Sequence, residues 1–546
     1  MSPQRMFKLP IEYRSTQPIA PQMVQDLELT RTVDPSCCPM YHCLFQPSTE
    51  LAKKTCEQWA HFTDDVEYLQ EFPKFAASLT TTPVSQDAFY KQWTGHRETK
   101  DFCALHHYVE YERVKFVNNS PKFLFGMSVY SMTAPVMFLL SPLMVLVIPF
   151  LLLKMRNIPV NWAQYRIILA DVLKNHALGA VFAGFGSDMS ANQKMYFLVT
   201  AGLFCVQLYS NVMTCYQFYG NMGKASSLLE TTAAYLDSVL PIMKEISVAP
   251  FPTIAPFANE TARHYSVLGG LADRLKEVKG WTLRQFSKIG MVRQLFYQLK
   301  FDKELGESME YSFGVQGFSE NMAHFKKLLA LKKVNACKFG AETKFRKAHY
   351  PPHPTHRKNS HAVENLILTG PNASGKTTLI KTAMLNVLFS QQVGAGFYRS
   401  ATIAPYKQLS CYMNIPDTSG RDSLFQAEAR RCKGILDSLD KGRMLCIFDE
   451  LFSGTNPYEA TASTYAFLTH LKTHPECTFM LTTHFVHVCD KVGVPNYHMK
   501  THQNGEKMDY SYKLVPGISK IKGALHVLKD LDFPKSLIEA AKTYEQ

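Results

Sequence analysis

The 546-residue sequence contains no C-x-x-C pair, although it has thirteen cysteines. That absence removes the commonest zinc-ribbon and dithiol-redox patterns. Cys37, Cys38, His42 and Cys43 do cluster, but at a spacing that suits zinc poorly. Acidic residues are the minority charge: 46 Asp and Glu stand against 59 Lys and Arg, a formal net charge of +13. A surplus of this sign points to an anionic partner, either nucleic acid or an acidic membrane surface. The opening residues, MSPQRMFKLP, hold no apolar core of signal-peptide type. Scattered thiols, together with the nucleotide motif described below, fit a reducing compartment.

Charge is missing altogether from two long stretches. Phe123 to Leu153 carries none and is bounded by Lys122 and by Lys154 and Arg156; its centre reads VMFLLSPLMVLVIPFLLL. About 20 apolar residues suffice to span a bilayer, and membrane helices tolerate the kinks expected at Pro135, Pro142 and Pro149. Met195 to Met222, framed by Lys194 and Lys224, is a second such run. The two form either a membrane hairpin or a pair of buried core helices. In a hairpin with both chain ends on the ATP side, the connection would lie outside. Yet Lys154, Arg156, Arg166, Lys174 and Lys194 outweigh Asp171 and Asp188 there, and the positive-inside rule would keep such a loop inside.

What is present is concentrated towards the C-terminus. Leu366, Ile367 and Leu368 predict a short buried strand. Gly370, Pro371, Asn372, Ala373, Ser374 and Gly375 then turn into a helix expected from Lys376 to about Ser390. This is the G-x-x-x-x-G-K-[ST] phosphate loop in its strand–loop–helix setting. Glycines let backbone N–H groups approach phosphates, and the helix N-terminus adds positive potential. Lys376 is expected on the β- and γ-phosphates of ATP and Thr377 on Mg²⁺, with Thr378 beside them. Met444 to Glu450 reads as an apolar strand ending in two carboxylates. Asp449 would hold Mg²⁺, and Glu450 would polarise the attacking water. Thr478 to Thr483 predicts another buried strand, ending at His484, which can sense the γ-phosphate.

Four segments resemble the MutS family of ATPases: TGPNASGKTT, SGRDSLFQAEARRC (Ser419 to Cys432), FDELFSGTNPYEA (Phe448 to Ala460) and LTTHF (Leu481 to Phe485). So does the tail, with Tyr497-His498-Met499 and then YKLVPGIS (Tyr512 to Ser519). The resemblance covers roughly Lys338 to Gln546. It implies an α/β P-loop NTPase of the ABC/MutS type at 338–546, using ATP and Mg²⁺, with catalytic roles for Lys376, Glu450 and His484. It implies adenine contacts from Tyr350 or His353. It also implies a dimer in which Ser423, with Leu424, Phe425 and Glu428, faces the γ-phosphate held by the partner chain. The family usually has Thr after the signature serine, where this chain has Leu424. Gln392 would sit where a loop couples nucleotide state to the lever.

Residues 1–120 and 225–337 are similar, more loosely, to the helical core and lever of the family. The apolar insert, 121–224, then stands about where relatives carry their DNA clamp. About 25 residues precede the match, too few for a mismatch-reading domain. The Phe-x-Glu triplet Phe318-Ser319-Glu320 lies far along the chain beside expected helices and reads as chance. A stripe of Leu229, Ala233, Leu236 and Leu240 predicts a helix that Pro241 ends. Asn504-Gly505 predicts a hairpin turn, and a last helix is expected from Pro534 to Tyr544.

Three functions are compatible with these features. One is a membrane-tethered MutS-like ATPase with its catalytic domain in the cytoplasm. Another is a soluble, cytoplasmic or nuclear DNA-binding repair protein whose insert is core. The third is a membrane scaffold that binds nucleotide with little turnover.

Overall fold

A computed structural model describes residues 6–156, 158, 161–174, 190–278, 283–352, 357–413, 415, 423–504, 507–519, 521, 528 and 531–545. The chain divides into two compact units. One comprises Met1–Asp87, Ser238–Ser266 and Met309–Gln546, and the other Ala88–Asp237 and Val267–Ser308.

The first unit is organised on a six-stranded mixed sheet. In chain order its strands are β1 (Leu366–Thr369), β2 (Gln408–Tyr412), β3 (Met444–Asp449), β4 (Cys477–Thr482), β5 (Asn496–Asn504) and β6 (Lys507–Pro516). Their spatial order is β2-β3-β4-β1-β5-β6. The first five are parallel, and β6 runs antiparallel to β5. LILT in β1 is buried at every residue, and MLCIFD in β3 at all but its last. Such continuous apolar runs belong to parallel strands covered on both faces. The register sets Asp449 against Thr482, and Thr482 against Leu368, so the C-terminal ends of β3, β4 and β1 lie side by side. The hairpin expected at Asn504-Gly505 forms, with Asn504 paired to Lys507; Gly505 itself lies outside the described residues.

β1 leads through residues 370–375 into the helix Lys376–Val393, which is buried nearly all round. Most of its buried polar atoms find partners within the chain; Gln392 Oε1 has none among the described residues. The Asn386 amide donates to Thr382 O (2.9 Å) and its Oδ1 accepts from Phe397 N (2.6 Å). Gln392, expected in a coupling loop, belongs to the last turn of this helix. Its Nε2 donates to Tyr41 Oη (2.9 Å), Trp59 O (3.2 Å) and His61 O (2.9 Å). Beside it, Gln391 Nε2 donates to Thr63 O (3.0 Å) and Tyr406 O (2.7 Å). Side-chain bonds therefore fasten the helix end to the segment 41–63. The helix stops at Gly394, which has a φ of +67° and lies so close to Leu69 O that a Cβ would stand 1.8 Å from it.

The Phe318-Ser319-Glu320 triplet is structural. Phe318 packs against Phe257 at 5.5 Å between ring centroids. Glu320 accepts from Ser48 N (2.7 Å) and Thr49 N (3.1 Å).

The second unit holds the apolar insert. Pro121–Met155 is one helix of 35 residues, and its helical assignment passes unbroken through Pro135, Pro142 and Pro149. It pairs antiparallel with the long helix Ala191–Ser247: Phe138 stacks on Phe204 at 4.7 Å, and Cys215 Sγ lies 3.8 Å from Met132 O. Between them comes a shorter helix, Trp162–Lys174. The apolar side chains of the pair face outward, among them Leu139 (53% exposed), Leu151, Val199 and Leu203 (65%). By length and composition, two described helices are long and apolar enough to cross a membrane, Pro121–Leu140 and Lys194–Ser247.

One sequence expectation fails here. Pro241 does not end its helix, which continues to Ser247. Proline costs one backbone hydrogen bond, but Val239, Ile242, Met243 and Ile246 are all buried around it. Their packing holds the helix together across the missing bond.

Candidate functional site

The loop 370–375 is shaped by backbone that turns into the left-handed region: φ is +145° at Gly370, +61° at Ala373 and +92° at Gly375. Turns of this kind aim successive N–H groups into one concavity, which favours an anion. A cavity of about 420 Å³ opens there. Residues 372–378 line it together with Tyr350, Arg357, Asn359, Met499 and Tyr512.

Lys376 is 6% exposed. Its Nζ donates to Gly370 O (2.9 Å) and Pro371 O (3.3 Å) and lies 3.1 Å from His484 Nε2. Burial lowers the pKa of this ammonium, against the opposing pull of Glu450 and Asp449. The same His484 Nε2 is 3.1 Å from Glu450 Oε1. One ring nitrogen cannot accept from lysine and donate to glutamate at once, so the place of the ring proton decides which of the two bonds forms. The bond from His484 is also the main reason that the Glu450 carboxyl sits below its ordinary range. Glu450 itself has a φ of +54°, a strained conformation for a residue with a side chain.

Asp449, at the end of β3, accepts from Thr377 Oγ1 on both oxygens (3.0 and 2.9 Å) and from Thr482 Oγ1 (2.5 Å). A carboxylate beside hydroxyls is a hard-oxygen donor set, which suits Mg²⁺. Among the described residues no group of three or more His, Cys, Asp or Glu is arranged to hold a metal. Cys37, Cys38, His42 and Cys43 thus form no such group.

The structure gathers Lys376, Thr377, Asp449, Glu450 and His484 at the ends of neighbouring strands. Tyr350 lines the cavity, and burial pushes its phenol up. His353 lies outside the described residues. Ser423 does not line the cavity. It caps the helix Leu424–Leu436, its hydroxyl accepting from Gln426 N (3.3 Å). Glu428 turns inward, 2% exposed, and accepts from Ser453 N (3.0 Å), Ser453 Oγ (3.0 Å) and Gly454 N (3.2 Å). It therefore holds the loop after β3 against the signature helix of its own chain.

Sequence reasoning gave no site role to Tyr512, Met499, Asn359 or Arg357. Tyr512 reaches the loop because β6 folds back along β5; its Cδ1 lies 3.1 Å from where a Cβ on Gly375 would stand. Asn359 fixes it there, donating to Tyr512 O (2.9 Å) and accepting from Leu514 N (3.1 Å). The available signal was the YKLVPG tail, which carried the family likeness but no chemistry of its own.

Residues 366–546 match the family described as MutS domain V. The chain is 28% identical over 191 residues to DNA mismatch repair protein MutS of Phocaeicola vulgatus, covering 34% of this chain and 22% of that protein. It is 28% identical over 192 residues to Endonuclease MutS2 of Fusobacterium nucleatum (33% and 23%). The corresponding figures for DNA mismatch repair protein MSH2 of Saccharomyces cerevisiae are 28% over 191 residues (32% and 20%). The chain thus spans about a fifth of the length of these relatives. The likeness to the MutS family thus lies in the C-terminal third of this chain.

Proposed function

We propose that the protein is a MutS-type P-loop ATPase that binds ATP with Mg²⁺ and hydrolyses it at a site completed by a second copy of the chain. The observation that carries this reading is the convergence of Lys376, Thr377, Asp449, Glu450 and His484 beside a cavity of nucleotide size. The loop N–H groups and Lys376 bind the phosphates. Thr377 and Asp449 would hold Mg²⁺, which neutralises charge on the phosphate oxygens when bound. Glu450 accepts the proton of the attacking water, and its contact with His484 reports on the terminal phosphate. Ser423 is exposed at the N-terminus of its helix, where unpaired N–H groups can meet an anion on a partner chain. The rings of Tyr512 and Tyr350, which both line the cavity, offer the base a surface to stack on.

Two variants test this. Glu450→Gln should keep ATP bound while turnover falls about 100-fold or more. Lys376→Ala should weaken ATP binding by roughly 10- to 100-fold, the worth of a charged hydrogen bond. Mixing Lys376→Ala chains with Ser423→Arg chains should restore one working site per dimer. Full turnover by the Lys376→Ala, Glu450→Gln double variant would refute the assignment. Full turnover by a monomer would refute the composite site.

The outward-facing apolar side chains of the helical hairpin favour a membrane tether, with the nucleotide site on the cytoplasmic side. After a carbonate wash the chain should stay in the membrane pellet; release into the supernatant would refute the tether. The names of the relatives and the +13 charge favour sequence-independent association with DNA. Retention on duplex DNA that weakens steeply with salt would support it.

A further inference from the structure

The segment just before the hairpin is built unlike the rest of the second unit's surface. Glu112–Asn119 forms a short 3₁₀ stretch that leads directly into the helix Pro121–Met155. Along it, Tyr111 (63%), Val114 (39%) and Phe116 (70%) are exposed. Arg113 and Lys122 are exposed among them, while Lys115 pairs with Glu112 at 2.5 Å. Large apolar side chains standing in water next to arginine and lysine have the composition of a membrane interface, where aromatic rings sit at headgroup level.

The exposure does not come from a loose segment. Asn118 is fully buried and closes on Val109 through both its amide nitrogen (2.8 Å) and its oxygen (3.0 Å). Asn119 O accepts from Gln294 Nε2 at 2.6 Å. Gly290 approaches so closely that a Cβ there would stand 2.0 Å from Pro121 O. The far end of the stretch is pinned to the helix Ile289–Phe301, and the near end presents Tyr111, Arg113 and Phe116 outward.

Length favours lipid over a protein as the occupant. The 35-residue helix is about 52 Å long. A bilayer is about 30 Å across its hydrocarbon and ~40–45 Å with its headgroups. Lys122, at the first turn, and Lys154, at the last, then fall in opposite headgroup layers, and Glu112–Asn119 lies alongside Lys122. Phe116 lies before the first turn, and Tyr130, Val136 and Leu140 are exposed further along the helix.

We propose that Tyr111–Lys122 is an interfacial foot. Tyr111, Val114 and Phe116 enter the headgroup region of the cytoplasmic leaflet, and Arg113 and Lys122 bind anionic lipid headgroups. The proposal rests on the membrane reading of the hairpin given above.

The test uses the full-length chain reconstituted in phosphatidylcholine vesicles with and without phosphatidylserine. Phe116→Trp and, separately, Leu140→Trp are compared with the unsubstituted chain, whose own tryptophan emission is subtracted. The indole added by Phe116→Trp should be quenched by lipids brominated near the headgroup. The one added by Leu140→Trp should be quenched by lipids brominated deep in the acyl chain. Phosphatidylserine should increase the quenching in the Phe116→Trp chain, and Arg113→Ala or high salt should abolish that increase. Quenching in the Leu140→Trp chain with none in the Phe116→Trp chain would overturn the foot and leave the spanning hairpin intact. No quenching in either chain would overturn both. Quenching in the Phe116→Trp chain that ignores phosphatidylserine and Arg113→Ala would overturn the anionic-headgroup assignment.

Discussion

The helices Lys376–Val393 and Pro121–Met155 are both rich in apolar residues, yet only the first carries amide side chains. In the first, Asn386, Ser390, Gln391 and Gln392 are buried and reach partners elsewhere in the chain. In the second there are only hydroxyls, which fold back on their own helix as Thr382 and Ser390 do in the first: Ser128 to Leu124 O (2.6 Å), Ser131 to Met127 O (3.0 Å) and Thr133 to Val129 O (2.8 Å); Ser128 also meets Arg293. A core helix can use amides because neighbouring backbone answers them. A hydroxyl needs no such neighbour, because the carbonyl one turn back accepts its proton. Apolar content alone does not separate the two; the presence of buried amides does.

Truncating one leucine in each helix should give the largest contrast. Leu388 is fully buried, so Leu388→Ala should cost about 2–5 kcal/mol. Leu139 is half exposed, and Leu139→Ala should change stability by no more than about 0.5 kcal/mol. Denaturant unfolding of the detergent-solubilised chain reads both. Equal losses would mean that the hairpin is packed as core and would erase the distinction.

A smaller contrast comes from two glycines. At Gly394, alanine would have to adopt a positive φ and displace the Leu69 carbonyl, so Gly394→Ala should cost about 1–3 kcal/mol. Gly126 lies inside the hairpin helix with nothing within 4 Å of a Cβ. Gly126→Ala should therefore stabilise that helix by about 0.5–1 kcal/mol. A loss at Gly126 would show that another element packs there.

The nucleotide half was legible from sequence because its signals are local. An apolar tetrapeptide, glycines at fixed spacing and a lysine describe β1, the loop and the start of the helix without reference to the rest of the chain. Asp449, Glu450 and His484 were legible as strand ends, and parallel register brings strand ends together. Tyr512 was not, because its place depends on β6 returning along β5 and on Asn359, which belongs to another strand. The amide clamp of Gln391 and Gln392 was hidden for the same reason: its acceptors, Tyr406 O apart, lie more than three hundred residues earlier, in the segment 41–63. Pro241 misled because a rule about local backbone was applied where tertiary packing decides. The apolar runs were legible as apolar, but their outward orientation needed the structure.

Two arginines, one in each unit, carry the comparison into electrostatics. Arg293, in the hairpin unit, bonds to neutral acceptors: Ser128 Oγ (3.2 Å), His106 O (2.9 Å) and His107 O (2.8 Å). Arg431, on the signature helix of the nucleotide unit, meets Asp26 at 3.0 Å as well as Cys411 O. Burial nevertheless pushes the Asp26 carboxyl up to about 6, outweighing the pull of Arg431 and Lys381. A carboxyl whose pKa is higher in the folded chain binds its proton more tightly there. Its contribution to stability is complete below the unfolded value of about 3.8 and is lost as pH rises through about 6. Because the ion pair is partly open to solvent, the loss across that window should be about 1 kcal/mol. Asp26→Asn should remove this component, so that the difference in unfolding free energy between the substituted and unsubstituted chains changes between pH 4 and pH 6 and is flat above pH 7. A difference that is flat throughout would mean that Asp26 stays ionised at pH 5 and that Arg431 outweighs burial.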